Sequence, residues 1–255
     1  MVRYYCSGYD VNNAFGHGLG DMIKAELKGT KRIVYIVGDP NKPNKIEKAI
    51  NIYVPSFRNS FEKNGIVFED EKIILPSTSP EEAKSWINES DFLMLMGGDP
   101  FDQKEMCENL GIIDSIKNYD GVIMGYSAGA MLMSKNVIIT PCSKEYPDFK
   151  IGNGLNLDNI SIYPHNNTAS NEYPDVLDIG KEKYKKEDLI KVANEYGEYY
   201  LLQDYMNENG EWDISIVKSS DGKIELYTEN NGRIWTATTD GVNLVVPQLS
   251  KNIAR

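Results

Sequence analysis

Short apolar runs alternate with helical patterns along the first half of the chain. Residues 1–8 read as a first strand, and Arg32 to Val37 is a second, β-branched and closed by Gly38-Asp39-Pro40. Lys72 to Leu75 is a third. Phe92-Leu93-Met94-Leu95-Met96 is a fourth, fully apolar and ended by Gly97-Gly98-Asp99-Pro100, and Gly121-Val122-Ile123-Met124 reads as a buried fifth. Helical spacing runs through Met22, Ile23 and Leu27, from about Lys45 to Asn64, from Ser79 to about Asn88, and over roughly Asp102–Asn109 and Ile112–Asn118. Ser79-Pro80-Glu81-Glu82 supplies an N-cap, a proline at the first helical position and a glutamate at the third, a strong helix start. Strands alternating with helices predict βαβ units, and hence an α/β fold with a mostly parallel, doubly wound sheet.

The second half reads differently. Residues 134–159 look mostly irregular, with one strand at Val137 to Thr140. Beyond about Glu198, short strands at Tyr199–Gln203, Trp212–Lys218, Lys223–Thr228, Arg233–Ala237 and Val242–Val246 are separated by Asp221-Gly222, Asn231-Gly232 and Asp240-Gly241 turns. The expectation is an antiparallel extension over about 198–247. It belongs to one α/β domain spanning 1–255 and has no core of its own.

The most informative residues are Gly125-Tyr126-Ser127-Ala128-Gly129, between the fifth strand and an apolar helix start at Ala130-Met131-Leu132-Met133. A strand, a tight Gly-x-Ser-x-Gly turn and a helix form the setting of a nucleophile elbow. The turn lifts the serine oxygen out of the sheet, and small neighbours let strand and helix approach closely. The helix N-terminus offers free N–H groups to an oxyanion. The bland alternative is a glycine-rich βα turn whose serine only caps the helix.

Bulk properties narrow the field. A net charge of −11 over 255 residues repels phosphate backbones, so nucleic acid is not an expected partner. No apolar run has the length to span a bilayer and no signal-peptide pattern opens the chain, so no membrane partner is expected and a cytoplasmic location is the default. Cys6, Cys107 and Cys142 have no CxxC spacing, which suggests neither a disulfide framework nor a metal site. No cofactor is expected, and a homo-oligomer is left open.

A serine nucleophile needs a base, and the base needs an orienting carboxylate. The chain has only His17 and His165. His165 follows the strand-like Ile160-Ser161-Ile162-Tyr163-Pro164, so its imidazole stands at a strand's C-terminal end, where α/β sheets bind ligands. His17 lies in a glycine-rich turn and reads as a solvated residue. Ala128 is placed to give one oxyanion N–H, and Gly98 is nominated for the second.

Met96-Gly97-Gly98-Asp99, then Gly125-Tyr126-Ser127-Ala128-Gly129-Ala130, then Tyr163-Pro164-His165 is an order and spacing that resembles the peptidase E (dipeptidase E) family, which includes cyanophycinases. The likeness runs over about residues 1–235. It implies a fold like the class I glutamine amidotransferases, with serine in place of cysteine. It also implies a metal-free serine peptidase whose catalytic serine and histidine fall on Ser127 and His165. One acid used by some family members, about fifteen residues after the serine, is missing, since Pro141-Cys142-Ser143 stands there. Another family slot falls on Asp204, after Leu201-Leu202-Gln203; Asp148 and Glu145 are the alternatives. The resemblance puts Asp99 at a substrate-binding position where the Asp-X-specific branch has asparagine, and Asn136–Thr140 offers no arginine. Two carboxylates without a cation repel, so strict Asp-X specificity is not expected. The leading expectation is a serine exopeptidase for short peptides. A cyanophycinase-like hydrolase and a non-catalytic, amidotransferase-like binding module are the alternatives.

Overall fold

The computed structural model describes residues 1–9, 16–27, 32–139, 149–165, 176–179, 182–206, 212–228 and 232–245. The first half follows the apolar pattern closely. Strands β1 (Val2–Cys6), β2 (Arg32–Gly38), β3 (Asp70–Ile74), β4 (Phe92–Gly98) and β5 (Val122–Tyr126) alternate with helices α1 (Gly16–Glu26), α2 (Pro43–Lys48), α3 (Val54–Lys63), α4 (Pro80–Glu89), α5 (Pro100–Asn109) and α6 (Ile113–Lys117). The five strands pair in parallel in the order β1-β5-β4-β2-β3. Moving from β1 outward to β3 and then back through β4 to β5 reverses the direction of travel. Right-handed crossovers then put α1 and α3 on one face and α4 to α6 on the other. This explains why β1, β2, β4 and β5 carry apolar residues on both sides, with Tyr4, Tyr5, Ile33, Tyr35, Leu93 and Met94 fully buried.

A π-helical turn, Ala49–Tyr53, joins α2 to α3, so the expected long helix is continuous but not uniform. Pro55 explains the turn. Inside a helix its ring crowds the carbonyl four residues earlier, here Asn51, and a wider turn relieves that contact. The predicted start of α4 is present as a full capping box between Ser79 and Glu82.

Helix α7 (Ala128–Met133) follows β5 and packs on β4, β5 and β1. Strands β6 (Asn136–Ile139) and β7 (Lys150–Asn153) form an antiparallel pair in the stretch that reads as irregular. Strand β8 (Ile162–Tyr163) comes next, then the hairpin of β9 (Val176–Ile179) and β10 (Glu182–Lys185), then α8 (Lys186–Tyr196). The remaining strands are β11 (Tyr199–Gln203), β12 (Tyr205–Met206), β13 (Trp212–Asp213), β14 (Ser215–Ser220), β15 (Lys223–Thr228), β16 (Arg233–Thr238) and β17 (Gly241–Val245).

The antiparallel extension departs from expectation in two respects: it divides, and part of it shares an apolar cluster separate from the main core. Strands β14 and β15 continue the central sheet beyond β1, whereas β11, β16 and β17 join β8 in a second sheet ordered β17-β16-β11-β8. That second sheet has its own apolar cluster, with Tyr163, Leu189, Tyr199, Leu201, Trp235 and Ala237 buried between it and α8. Among the described residues no helix is long and apolar enough to cross a membrane.

Candidate active site

Parallel register delivers the three expected catalytic side chains to one place. In the central sheet Cys6 lies opposite Tyr126, and the Ser127 N–H donates to the Cys6 carbonyl at 3.0 Å. In the second sheet Leu201 lies opposite Tyr163. Continuing that register sets His165 beside Gln203, one residue short of Asp204. The chain ends of β1, β5, β8 and β11 thus converge.

Ser127 sits at φ 52° and ψ −119° between β5 and α7. Five non-glycine residues of the described structure have positive φ; Asn156, Asn159, Asp221 and His165 (φ 58°) are of types enriched there, and Ser127 is not. Backbone strain at Ser127, whose hydroxyl meets His165, is a mark of a functional site. The elbow's second glycine is required by packing: a Cβ on Gly129 would stand 2.1 Å from the Leu95 carbonyl oxygen.

The Ser127 Oγ is 2.8 Å from His165 Nε2, and His165 Nδ1 is 2.5 Å from Asp204 Oδ2. Asp204 accepts from Nδ1–H, which leaves Nε2 as the acceptor for the serine proton. The imidazole is 47% exposed at the cavity edge, whereas the Asp204 side chain is 3% exposed. Glu145, Asp148 and Cys142 lie outside the described residues, as does the His17 side chain. Ala128 is the first residue of α7, where a backbone N–H has no intrahelical partner. Gly98 ends β4 beside Gly97, whose own Cβ position is 3.4 Å from the Ser127 Cβ.

Two supporting residues carry no sequence signal. Gly8 follows β1, and a Cβ there would stand 3.0 Å from Asp204 Oδ2 and 3.4 Å from His165 Cε1. Ser215 is fully buried and ties both strand ends together. Its N–H donates to Ser7 Oγ at 2.9 Å, its carbonyl accepts from the Ser7 N–H at 2.9 Å, and its hydroxyl donates to the Gln203 carbonyl at 2.7 Å.

Asp99 needs correction. Its buried carboxylate caps α5, accepting from the N–H groups of Phe101 at 2.9 Å and Asp102 at 3.1 Å, and it does not line the cavity beside Ser127. The Asp99-Pro100 pair is the same N-cap-then-proline signal that marks α4, so the sequence held the clue. The cavity, of about 300 Å³, is lined instead by Asp39 and Lys45 together with Tyr9, Tyr53, Tyr126 and Met96, next to Ser127 and His165. A cation, Lys45, is therefore on the wall, and it comes from α2 and not from Asn136–Thr140. Lys45, Ala49 and Tyr53 come from the α2–α3 helix. Residues four apart drift by about 40° around an α-helix, and the wider π turn offsets part of that drift, keeping the three on one wall.

The profile of peptidase family S51 matches residues 15–196, a span that holds Ser127 and His165. The chain belongs to peptidase family S51. The likeness to the peptidase E family expected from the sequence holds, and this S51 member is a peptidase. Two solved structures share the fold. A peptidase from an acI-B1 actinobacterium superposes with a TM-score of 0.60 at 16% identity, covering 97% of this chain and 95% of its own. A protein assigned as peptidase E from Listeria monocytogenes EGD-e gives a TM-score of 0.55 at 18% identity, covering 90% of this chain and 99% of its own. Identities that low speak to the fold alone. No curated protein sequence matches the chain.

Proposed function

We propose that this S51 peptidase is a serine exopeptidase acting on short peptides through Ser127, His165 and Asp204. The observation that carries the reading is the unbroken relay from Ser127 Oγ through the imidazole to the buried Asp204 carboxylate. Ser127 Oγ attacks the scissile carbonyl while His165 Nε2 takes its proton. The tetrahedral oxyanion is met by the N–H groups of Ala128 and Gly98. The C–N bond breaks as the imidazolium returns the proton to the leaving amine. Water, deprotonated by the same nitrogen, then hydrolyses the acyl-enzyme. Asp204 holds the tautomer and stabilises the imidazolium.

The cavity of about 300 Å³ favours short substrates, being at the small end of ligand sites and sized for a residue or two. Strict Asp-X specificity is not part of the proposal, because a carboxylate, Asp39, lines the wall. The comparison with class I glutamine amidotransferases, with serine in the cysteine's place, belongs to the same reading. Ser127→Ala is expected to lower kcat by about three to six orders of magnitude on any peptide the wild type cleaves. Near wild-type hydrolysis by that variant would end the proposal.

A further inference from the structure

Asp39 follows β2 at the C-terminal edge of the central sheet, on the wall of the cavity beside Ser127. Its side chain is 14% exposed. One carboxylate oxygen is 3.5 Å from Lys42 Nζ, longer than a close charged hydrogen bond. The other oxygen lies against Gly98: a Cβ on that glycine would stand 2.8 Å from it. Charges of both signs surround it, with Lys42 beside it and Lys45 on the same cavity wall. Asp99 and Asp102 are close by, and the Asp102 carboxyl is pushed above its usual range, first by burial, then by the Asp99 charge, with Asp39 adding to it; Asn41 and Lys42 oppose the shift. Lys45 also lines the cavity, but it is exposed, where water screens its charge. Asp39 is more buried than Lys45, so its charge is screened less.

Aromatic rings complete the wall. Tyr9, Tyr53 and Tyr126 line the same cavity. Tyr9 and Tyr126 ring centres are 5.9 Å apart. Burial pushes the Tyr126 phenol up; a backbone hydrogen bond from Gly97 opposes that shift, and Tyr53, Tyr9 and Asp39 add to it. A carboxylate among tyrosine rings is a receptor for a cation, through Coulomb attraction and the negative faces of the rings. We propose that Asp39, with Tyr9, Tyr53 and Tyr126, forms a specificity subsite for a positively charged group of the substrate peptide. In the serine-peptidase reading, on which this inference rests for its chemistry, Gly98 holds the carbonyl oxygen. A carboxylate touching Gly98 is then within reach of the α-ammonium group or of a lysine or arginine side chain on the same residue.

Binding separates the inference from the reaction. In a Ser127→Ala background, calorimetry with Lys-Leu, norleucyl-Leu and their N-acetyl forms measures recognition without turnover. Asp39→Asn is expected to weaken Lys-Leu binding by about tenfold or more, and Lys42→Ala, which removes the competing cation, to tighten it. If the α-ammonium group is the ligand, acetylation abolishes binding of both peptides and lysine has no advantage over norleucine. If the side chain is the ligand, N-acetyl-Lys-Leu binds like Lys-Leu and norleucyl-Leu binds weakly. Equal affinity with and without Asp39→Asn, or tighter binding of Asp-Leu than of Lys-Leu, overturns the subsite. Should Asp39→Asn fail to fold, Lys42→Ala decides, and an unchanged affinity overturns it. Wild-type protein that cleaves no peptide but shows the Asp39 dependence would sink the peptidase mechanism and leave the cation subsite standing.

Discussion

Gly8 is the residue whose replacement tests the relay most finely, because it touches the imidazole and the carboxylate without taking part in any proton transfer. A methyl group at 3.0 Å from Asp204 Oδ2 and 3.4 Å from His165 Cε1 must push one of them aside. Gly8→Ala is expected to lower kcat by about ten- to a hundredfold while Tm stays within a few degrees, checked by steady-state kinetics and thermal melts. Gly129→Ala should behave oppositely in kind. Its Cβ would meet main chain, the Leu95 carbonyl at 2.1 Å, so the fold itself should lose about 2 kcal/mol or more in denaturant titration. At this scale the sequence announces what is local. The elbow glycines, the serine and the strand-end histidine are visible because a strand, turn and helix occupy consecutive residues. Gly8 and Ser215 are silent, since their roles come from contacts between segments far apart in the chain. Asp99 differs for another reason: the residue that matches a family binding position is also an N-cap before proline, and the capping role is the one its carboxylate fills.

Among elements, the helix starts show how far local chemistry reaches. Ser79 and Glu82 satisfy each other's backbone N–H groups at the head of α4, on an exposed surface away from the cavity. Ser79→Ala is expected to cost about 1 kcal/mol of stability, seen as a lower denaturation midpoint with unchanged peptide hydrolysis. The α2–α3 segment was readable as a helix but not as an interrupted one. Pro55 alone would suggest a break, and the observed outcome is a π turn that keeps the axis continuous. That choice depends on the wall it must present, with Phe57 packed on Tyr9 at 4.1 Å and on Tyr126 at 5.2 Å between ring centres. Packing of this kind is decided by tertiary contacts and leaves no local mark.

Across the whole molecule, the site is a seam between two sheets. Ser127 belongs to the central sheet, while His165 and Asp204 follow β8 and β11 of the second. The parallel core was legible from alternating strands and helices, but the partition of the tail between the two sheets was not, because every tail strand shows the same short antiparallel pattern. A buried network helps fix the approach to β8. Arg3 of β1 pairs with Asp158 at 2.6 Å, and Asp158 also accepts from Tyr5 at 2.5 Å and from Ser219 at 2.7 Å. Removing one partner of a buried pair strands the other charge. Asp158→Ala should therefore destabilise the fold by about 3 kcal/mol or more and lower activity through misplacement of His165, measured by denaturant melts and kinetics on the folded fraction. The central claim, one relay assembled across that seam, is tested most directly by labelling folded protein with a fluorophosphonate and mapping the adduct by mass spectrometry. The account predicts a single adduct on Ser127, formed at least a hundredfold more slowly in His165→Ala, roughly the share general-base catalysis contributes. An unlabelled Ser127, or one labelled equally fast without His165, would contradict it.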